Sequence, residues 1–304
     1  VERPAVPGVF GLLNLYKPAG PTSHDLVAWV RRGTGVKKVG HAGTLDPAAA
    51  GVLVLCLGPA TRLSEYLMGS PKTYVARLHF GVETDTYDAE GAITAQDSRP
   101  LTRAALEAAL ERFRGEIAQV PPMHSAIKQG GRRLYDLARA GQTVERVGRA
   151  VTISRLVLAA WEPPVAVLEI ECSPGTYIRS LAHDLGQAVG VGAHLAALER
   201  TASGSFTAAD AVPWPAFRAA MEAGTWAGHL IPPDRALAAY PALHLDAEGT
   251  AAVLNGRLIA ALPETGGHDL ARAYDPQGRL IAVLERRGPA WKPHKVFAGA
   301  GGER

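Results

Sequence analysis

Residues 41–57, HAGTLDPAAAGVLVLCL, join a bend of glycine and Asp-Pro to an uncharged apolar run. The run is far too short to span a bilayer, and its composition suits a buried strand. Such a strand needs cover on its faces, from helices or from a second sheet. With 304 residues it is long enough for one large core, or for a core plus a small second domain. Its composition, 47% hydrophobic and 20% charged, is that of a globular protein and excludes collagen, coiled-coil and largely disordered classes. The N-terminal VERPAVPGVFGLL has no basic region followed by a long apolar segment, so no signal peptide is expected and a soluble cytoplasmic protein is.

The flanking segments give an α+β pattern. VFGLLNLYKPAGPTSHDLV reads as a strand, a Pro/Gly turn and a helix capped by Thr22 or Ser23. ATRLSEYLMG predicts a short helix ended by Gly69, and KTYVARLHFG a half-buried strand with Tyr74, Ala76, Leu78 and Phe80 on one face. LTRAALEAALERFRG carries the clearest helical pattern, with Leu106, Leu110 and Phe113 aligned and Gly115 as the stop. Residues 120–148 read as an excursion from the sheet: a Pro-Pro turn, a Gly-rich basic loop and a short helix. Two strands follow, AVTISRLVLAAW and VAVLEIECS, then a turn and helix in PGTYIRSLAHDLGQAVG. Beyond a stretch rich in Pro, Trp and Ala, the pieces PALHLD, GRLIAAL, DLARAYDP and GRLIAVLERR suggest a small mostly-β domain starting near 234.

Charge and cysteine usage narrow the chemistry. The net charge is only +3, but RRGTGVKK (31–38), KQGGRR (128–133) and RRGPAWKPHK (286–295) are basic clusters, two of them with loop-like glycines, which read either as solvated surface charge or as phosphate contacts. Cys56 and Cys172 lie singly in apolar runs, which argues for buried thiols and against a zinc site. Asp46 is either turn punctuation or a catalytic carboxylate, and no second carboxylate close in sequence supports a glycosidase pair. Arg179 falls in the first turn of its helix, where a cation opposes the dipole: it is either an exposed arginine with no role or one offset by an anionic partner, a phosphate or a carboxylate such as Asp46. Tyr74 and Tyr177 are either core or stacking surfaces for an unstacked base. His41 has no partner at metal-ligand spacing and reads as a turn histidine or an RNA contact.

These segments together resemble the TruB family of tRNA pseudouridine-55 synthases. The resemblance rests on GLLNLYKPAGPTSHDLV, VGHAGTLDPAAAGVLVLCLGPATRL, KTYVARLHFGVETDTYDAEG, PPMHSAIKQGGRRLYDLARAG, CSPGTYIRSLAHDLG and GAHLAALERT, in family order, and runs from residue 9 to about 232. The end, with GRLIAVLERRGPAWKPHKVF, is similar to the family's PUA domain. The resemblance implies a pseudouridine-synthase-like catalytic domain over 1–233, with a mixed, mostly antiparallel sheet flanked by helices and a mobile RNA-binding segment at 120–148. It also implies a PUA-like RNA-binding domain over 234–304. It makes Asp46 the catalytic aspartate, Tyr74 the tyrosine stacked on the target base, and Arg179 the partner of the aspartate. Tyr177 and Leu198 would line the uracil pocket, and His41 would fill the opened T loop. A flipped uridine of a tRNA T stem-loop is the implied substrate, with no cofactor or metal, no membrane, and a monomer as the working state. A tRNA folding helper, with or without catalysis, is the alternative. Ala42 and Ala50 stand where many members carry threonine, and Arg62 where lysine is frequent.

Overall fold

The computed structural model describes residues 8–123, 144–260 and 267–297, with residues 128–129, 132–133 and 142. The strands are β1 (Gly11–Lys17), β2 (Val39–His41), β3 (Ala50–Leu57), β4 (Lys72–Phe80), β5 (Val82–Thr84), β6 (Ile93–Gln96) and β7 (Gly115–Gln119). They continue as β8 (Lys128–Gln129), β9 (Arg132–Arg133), β10 (Arg149–Glu162), β11 (Val165–Cys172), β12 (Ala193–Ser203), β13 (Phe206–Thr207) and β14 (Val212–Pro213). Five more, β15 (Ala242–His244), β16 (Ile259–Ala260), β17 (Leu270–Tyr274), β18 (Leu280–Arg287) and β19 (Ala290–Val296), form a separate sheet. The helices are α1 (Ser23–Thr34), α2 (Ser64–Met68), α3 (Arg103–Leu110), α4 (Ile178–Val189), α5 (Trp214–Ala223) and α6 (Ala247–Leu254).

The main sheet runs β14–β1–β3–β12–β4–β11–β10–β7, with β2 beside β3 and β13 beside β12. Its pairings are antiparallel except β1–β14 and β3–β12. The expected mixed, mostly antiparallel sheet is therefore present. Residues paired across strands point to the same face, so Leu15, Leu53, Leu55, Arg200, Tyr74 and Ile170 share one face. On that face α1 and α5 cover one half through Leu26, Val30, Phe217 and Met221, while α4 covers the other through Leu181 and Leu185. The β3–β12 pairing lies between the two halves. Gly51 makes it possible: at φ +107° it lies so close to Arg200 that a Cβ would sit 2.2 Å from the Arg200 carbonyl oxygen.

Local expectations hold where a cap or an alternation fixes them. Thr22 caps α1 in a full capping box with Asp25, and β4 buries Tyr74, Ala76, Leu78 and Phe80. One helical reading needs correction. α3 stops at Leu110 and tightens into a 3-10 turn over Glu111–Phe113, and Gly115 opens β7 rather than capping the helix. LAALERTAS, rich in helix formers, lies within strand β12, because its neighbours β3 and β4 supply a ladder on both sides.

The basic clusters also differ from expectation. Arg31 and Arg32 sit in the last turn of α1, not in a loop, where they complement the dipole. The 286–295 cluster is the β18–β19 hairpin, and its Lys295 is mostly buried, ion-paired to Glu65 and hydrogen-bonded to the Arg62 carbonyl. Arg62 in turn donates to the Val296 carbonyl at 2.7 Å, which gives this departure from the family pattern a role in joining the two sheets. Leu63 and Leu237 complete that joint against Tyr274 and Phe297. In the 120–148 excursion, β8 pairs with β9 off the main sheet, and the expected short helix and the side chains of KQGGRR lie outside the described residues.

Candidate active site

The loop between β2 and β3 carries Asp46, and three buried side chains hold its backbone. Lys17, at the end of β1, donates through Nζ to the carbonyls of Pro18 (3.0 Å), Pro47 (3.0 Å) and Ala49 (2.6 Å). Arg200, on β12, donates to Val52 (2.8 Å), Gly43 (3.0 Å) and Thr44 (3.3 Å) carbonyls. Ser23, the first residue of α1, accepts from the Leu45 amide and donates to the Leu45 carbonyl, both at 2.9 Å. Lys17, Ser23 and Arg200 are at most 2% exposed. Buried cations are costly unless their hydrogen bonds are met, and here loop carbonyls meet them. Burial still pushes the Lys17 ammonium down to about 8, against the attraction of Asp46 and with the repulsion of Arg200.

The Asp46 side chain emerges from this clamp 42% exposed, with Oδ2 3.0 Å from Arg179 Nε. Arg179 is buried in the first turn of α4, as its sequence position implied, although the helix starts at Ile178 rather than near Thr176. Its Nη1 lies 3.4 Å from Asp88 Oδ2 and 3.4 Å from the Thr86 carbonyl. Two carboxylates therefore flank one guanidinium. Asp88 is the more buried of the two, at 13% exposure, and Tyr87 before it holds a left-handed φ of 65° while stacking on His183. The start of α4 is fixed by Gln119, which accepts from the Tyr177 amide (2.7 Å) and donates to its carbonyl (3.0 Å).

Tyr74 is buried directly across from Arg200 in the β4–β12 pairing. Burial raises the pKa of its hydroxyl, while Arg200 opposes that rise. Leu198, opposite Ala76, is half-buried against the cluster that contains Tyr74, Leu45 and Ala49. Tyr177 is half-buried at the cap position two residues before Arg179. The structure thus unites Asp46 and Arg179 directly and sets Tyr74 and Leu198 on the adjoining strands. His41 ends β2, with its ring edge-on to His24 of α1 at 5.2 Å.

Burial and the neighbouring His24 and Arg200 push His41 down to about 4, so it stays neutral at physiological pH. Below 6.5 the unfolded chain takes up a proton that the folded one refuses until about 4. This contribution is present above 6.5 and lost on acidification. Relative to His41→Gln, the wild type is expected to lose about 2 kcal/mol of unfolding free energy between pH 6.5 and 4, after discounting for partial exposure. Urea melts of both proteins across that range would show it, and parallel pH profiles would remove His41 as the cause.

Four supporting residues had no assigned role from sequence, Lys17, Asp88, Gln119 and Arg200, and Ser23 had one only as a candidate helix cap. Lys17 and Arg200 carry the weakest signal, a charge beside apolar residues of a strand. Asp88 had one, an acidic run TDTYDAE next to the strand bearing Tyr74.

Comparison with known proteins brings three family models onto the chain. TruB family pseudouridylate synthase (N-terminal domain) matches residues 31–178, tRNA pseudouridylate synthase B C-terminal domain 179–238, and tRNA pseudouridine synthase II, C terminal, 240–298. The chain is 51% identical over 259 residues to tRNA pseudouridine synthase B of Symbiobacterium thermophilum, covering 84% of this chain and 85% of that protein. It is 44% identical over 289 residues to the protein of the same name from Dehalococcoides mccartyi, covering 94% and 96%. Among solved structures, a Cbf5-Nop10-Gar1 complex matches with a TM-score of 0.75 and 27% identity, over 97% of this chain and 88% of that one. An H/ACA RNP bound to a substrate RNA containing 2′-deoxyuridine matches with a TM-score of 0.71 and 27% identity, over 95% and 85%.

Proposed function

The chain belongs to the TruB family of pseudouridine synthases and isomerises uridine to pseudouridine in tRNA; from that premise we propose that its target is the T-loop uridine at position 55 and that Asp46 is the catalytic residue. In the reaction the N1–C1′ bond breaks, uracil turns, and a C5–C1′ bond forms while C5 gives up a proton and N1 gains one. No atom is gained or lost, so neither a redox partner nor a nucleotide is consumed.

The observation that carries this reading is the Asp46–Arg179 pair on a clamped loop. The Arg179 guanidinium pairs with the carboxylate and orients it, whether Asp46 acts as nucleophile or as base. The side chain is also open to solvent on one side while its backbone is held by buried donors, so a flipped base can reach a group that does not move. Tyr74 and Leu198 would form the wall for the uracil, Tyr177 its rim, and His41 the filler of the vacated stack. The 120–148 segment would close on the RNA, and the five-stranded sheet beyond residue 234 would add a PUA-type contact. A cytoplasmic monomer suffices for this. No helix among the described residues is long and apolar enough to cross a membrane. A folding helper without catalysis is not favoured, since the named relatives are synthases.

The test is an unmodified tRNA transcript mapped for pseudouridine after incubation with the protein and no added nucleotide. Product at position 55, and none in a transcript with cytidine there, is expected; product elsewhere or nowhere would refute the assignment. Binding should weaken with salt, because phosphate contacts release counterions. For two to four contacts the loss is about 10- to 150-fold between about 50 and 200 mM. A flat salt profile in a filter-binding titration would remove the phosphate contacts.

A further inference from the structure

Away from Asp46, a cavity of about 370 Å³ opens between α1 and α5, lined by Trp29, Arg32, Trp214, Arg218, Met221 and Glu222. Its size is that of a small-ligand site. The two tryptophans stack on each other, with ring centroids 5.3 Å apart and planes at 29°, and both remain partly exposed. Gly33 lets α5 come close enough to form the floor, since a Cβ there would meet the Met221 sulfur at 2.4 Å. The charged lining is two arginines and one glutamate; Arg31, Lys37 and Lys38 are exposed at and beyond the end of α1, outside the lining. Arg32 and Arg218 are exposed, and Arg218 Nε lies 3.8 Å from Glu222 Oε1 in a loose surface ion pair. So loose and exposed a pair leaves most of the Arg218 charge available to a ligand.

We propose that this cavity is a second RNA subsite, taking one unpaired nucleotide of the substrate other than the reactive uridine. Its base stacks on the Trp29–Trp214 pair, and its phosphate sits between Arg32 and Arg218. This rests on the reading of the substrate as tRNA. Aromatic faces beside arginines are the chemistry that holds single-stranded nucleotides without reading sequence. With two arginines against one glutamate the lining is net positive, which favours a polyanion over an apolar protein segment. Position agrees: Ser23, which holds the Asp46 loop, and Arg32 belong to the same helix, about 14 Å apart along its axis. The cavity and the Ser23 support of the Asp46 loop thus share one helix, at a separation that a few nucleotides of single strand can span.

Two double variants of the full chain test this, Arg32→Ser with Arg218→Ser and Trp29→Leu with Trp214→Leu. The probe is an unmodified tRNA transcript, followed by tryptophan emission, filter binding and pseudouridine formation. Each variant is expected to raise Kd about 10-fold, within the range of one stacked base, with kcat at saturating RNA within about twofold of wild type. The wild type is expected to show an emission quench on binding, and the tryptophan variant to lose it. The tryptophans touch the core beneath them, so a thermal melt accompanies that variant. If it fails to fold, the exposed arginine pair decides alone. A Kd within twofold of wild type in the arginine variant overturns the subsite and leaves this face to a protein partner. Absence of pseudouridine from the wild-type reaction would strike the tRNA reading instead, and the two failures are thereby separated.

Discussion

Asp46→Asn is expected to lower the rate of pseudouridine formation by about 10⁴-fold or more while leaving the fold and tRNA binding nearly unchanged. Asparagine fills the same volume but neither attacks carbon nor takes a proton at neutral pH. The loop does not depend on the carboxylate, because Lys17, Ser23 and Arg200 bind its backbone. Arg179 keeps Asp88 as a counter-charge when Asp46 is neutralised. The side chain being 42% exposed, the lost pair should be worth no more than about 1 kcal/mol. Single-turnover kinetics beside a thermal melt would separate the two quantities. A variant that lost both activity and stability would recast Asp46 as structural.

Arg179→Met should be the most destabilising single change in the site. It removes the cation between two carboxylates and leaves Asp88, 13% exposed, without its charge partner. Breaking a buried pair on one side typically costs about 3–5 kcal/mol. Asp88 keeps the Thr86 hydroxyl at 2.5 Å and the Glu90 amide at 3.1 Å, so about 2–4 kcal/mol is expected. Adding Asp88→Asn to Arg179→Met should recover at least about half of that loss, because no buried charge then remains unpaired. Activity should not return with it, since Asp46 would still lack its partner. A denaturant-based double-mutant cycle gives the coupling. Additive losses would mean that Asp88 and Arg179 do not act as a pair.

The parts of this architecture legible in the sequence are those that local rules decide. The Thr22 capping box, the alternation of β4 and the apolar run of β3 each declare themselves within a few residues. So did the anomaly of Arg179, a cation in a first helical turn that proved to face two carboxylates. What stayed hidden is long-range. β12 has the composition of a helix and becomes a strand only because β3 and β4 flank it. α6 gave no reading at all, and β19 carries Pro293, a residue that speaks against a strand interior and is accommodated next to a register shift. Lys17 and Arg200 look like surface charges until the fold brings loop carbonyls over them. Apart from the Pro18 carbonyl next to Lys17, their acceptors lie 30 to 157 residues away.

That clamp is the centre of the mechanism, for it turns a bend into a fixed support for one carboxylate. The most direct measurement is single-turnover conversion of position 55 in an unmodified tRNA, by wild type and Asp46→Asn at equal fractions of bound RNA. The clamped-carboxylate account expects complete conversion by the wild type and none above background by the variant. Conversion by the asparagine variant at the wild-type rate would contradict it.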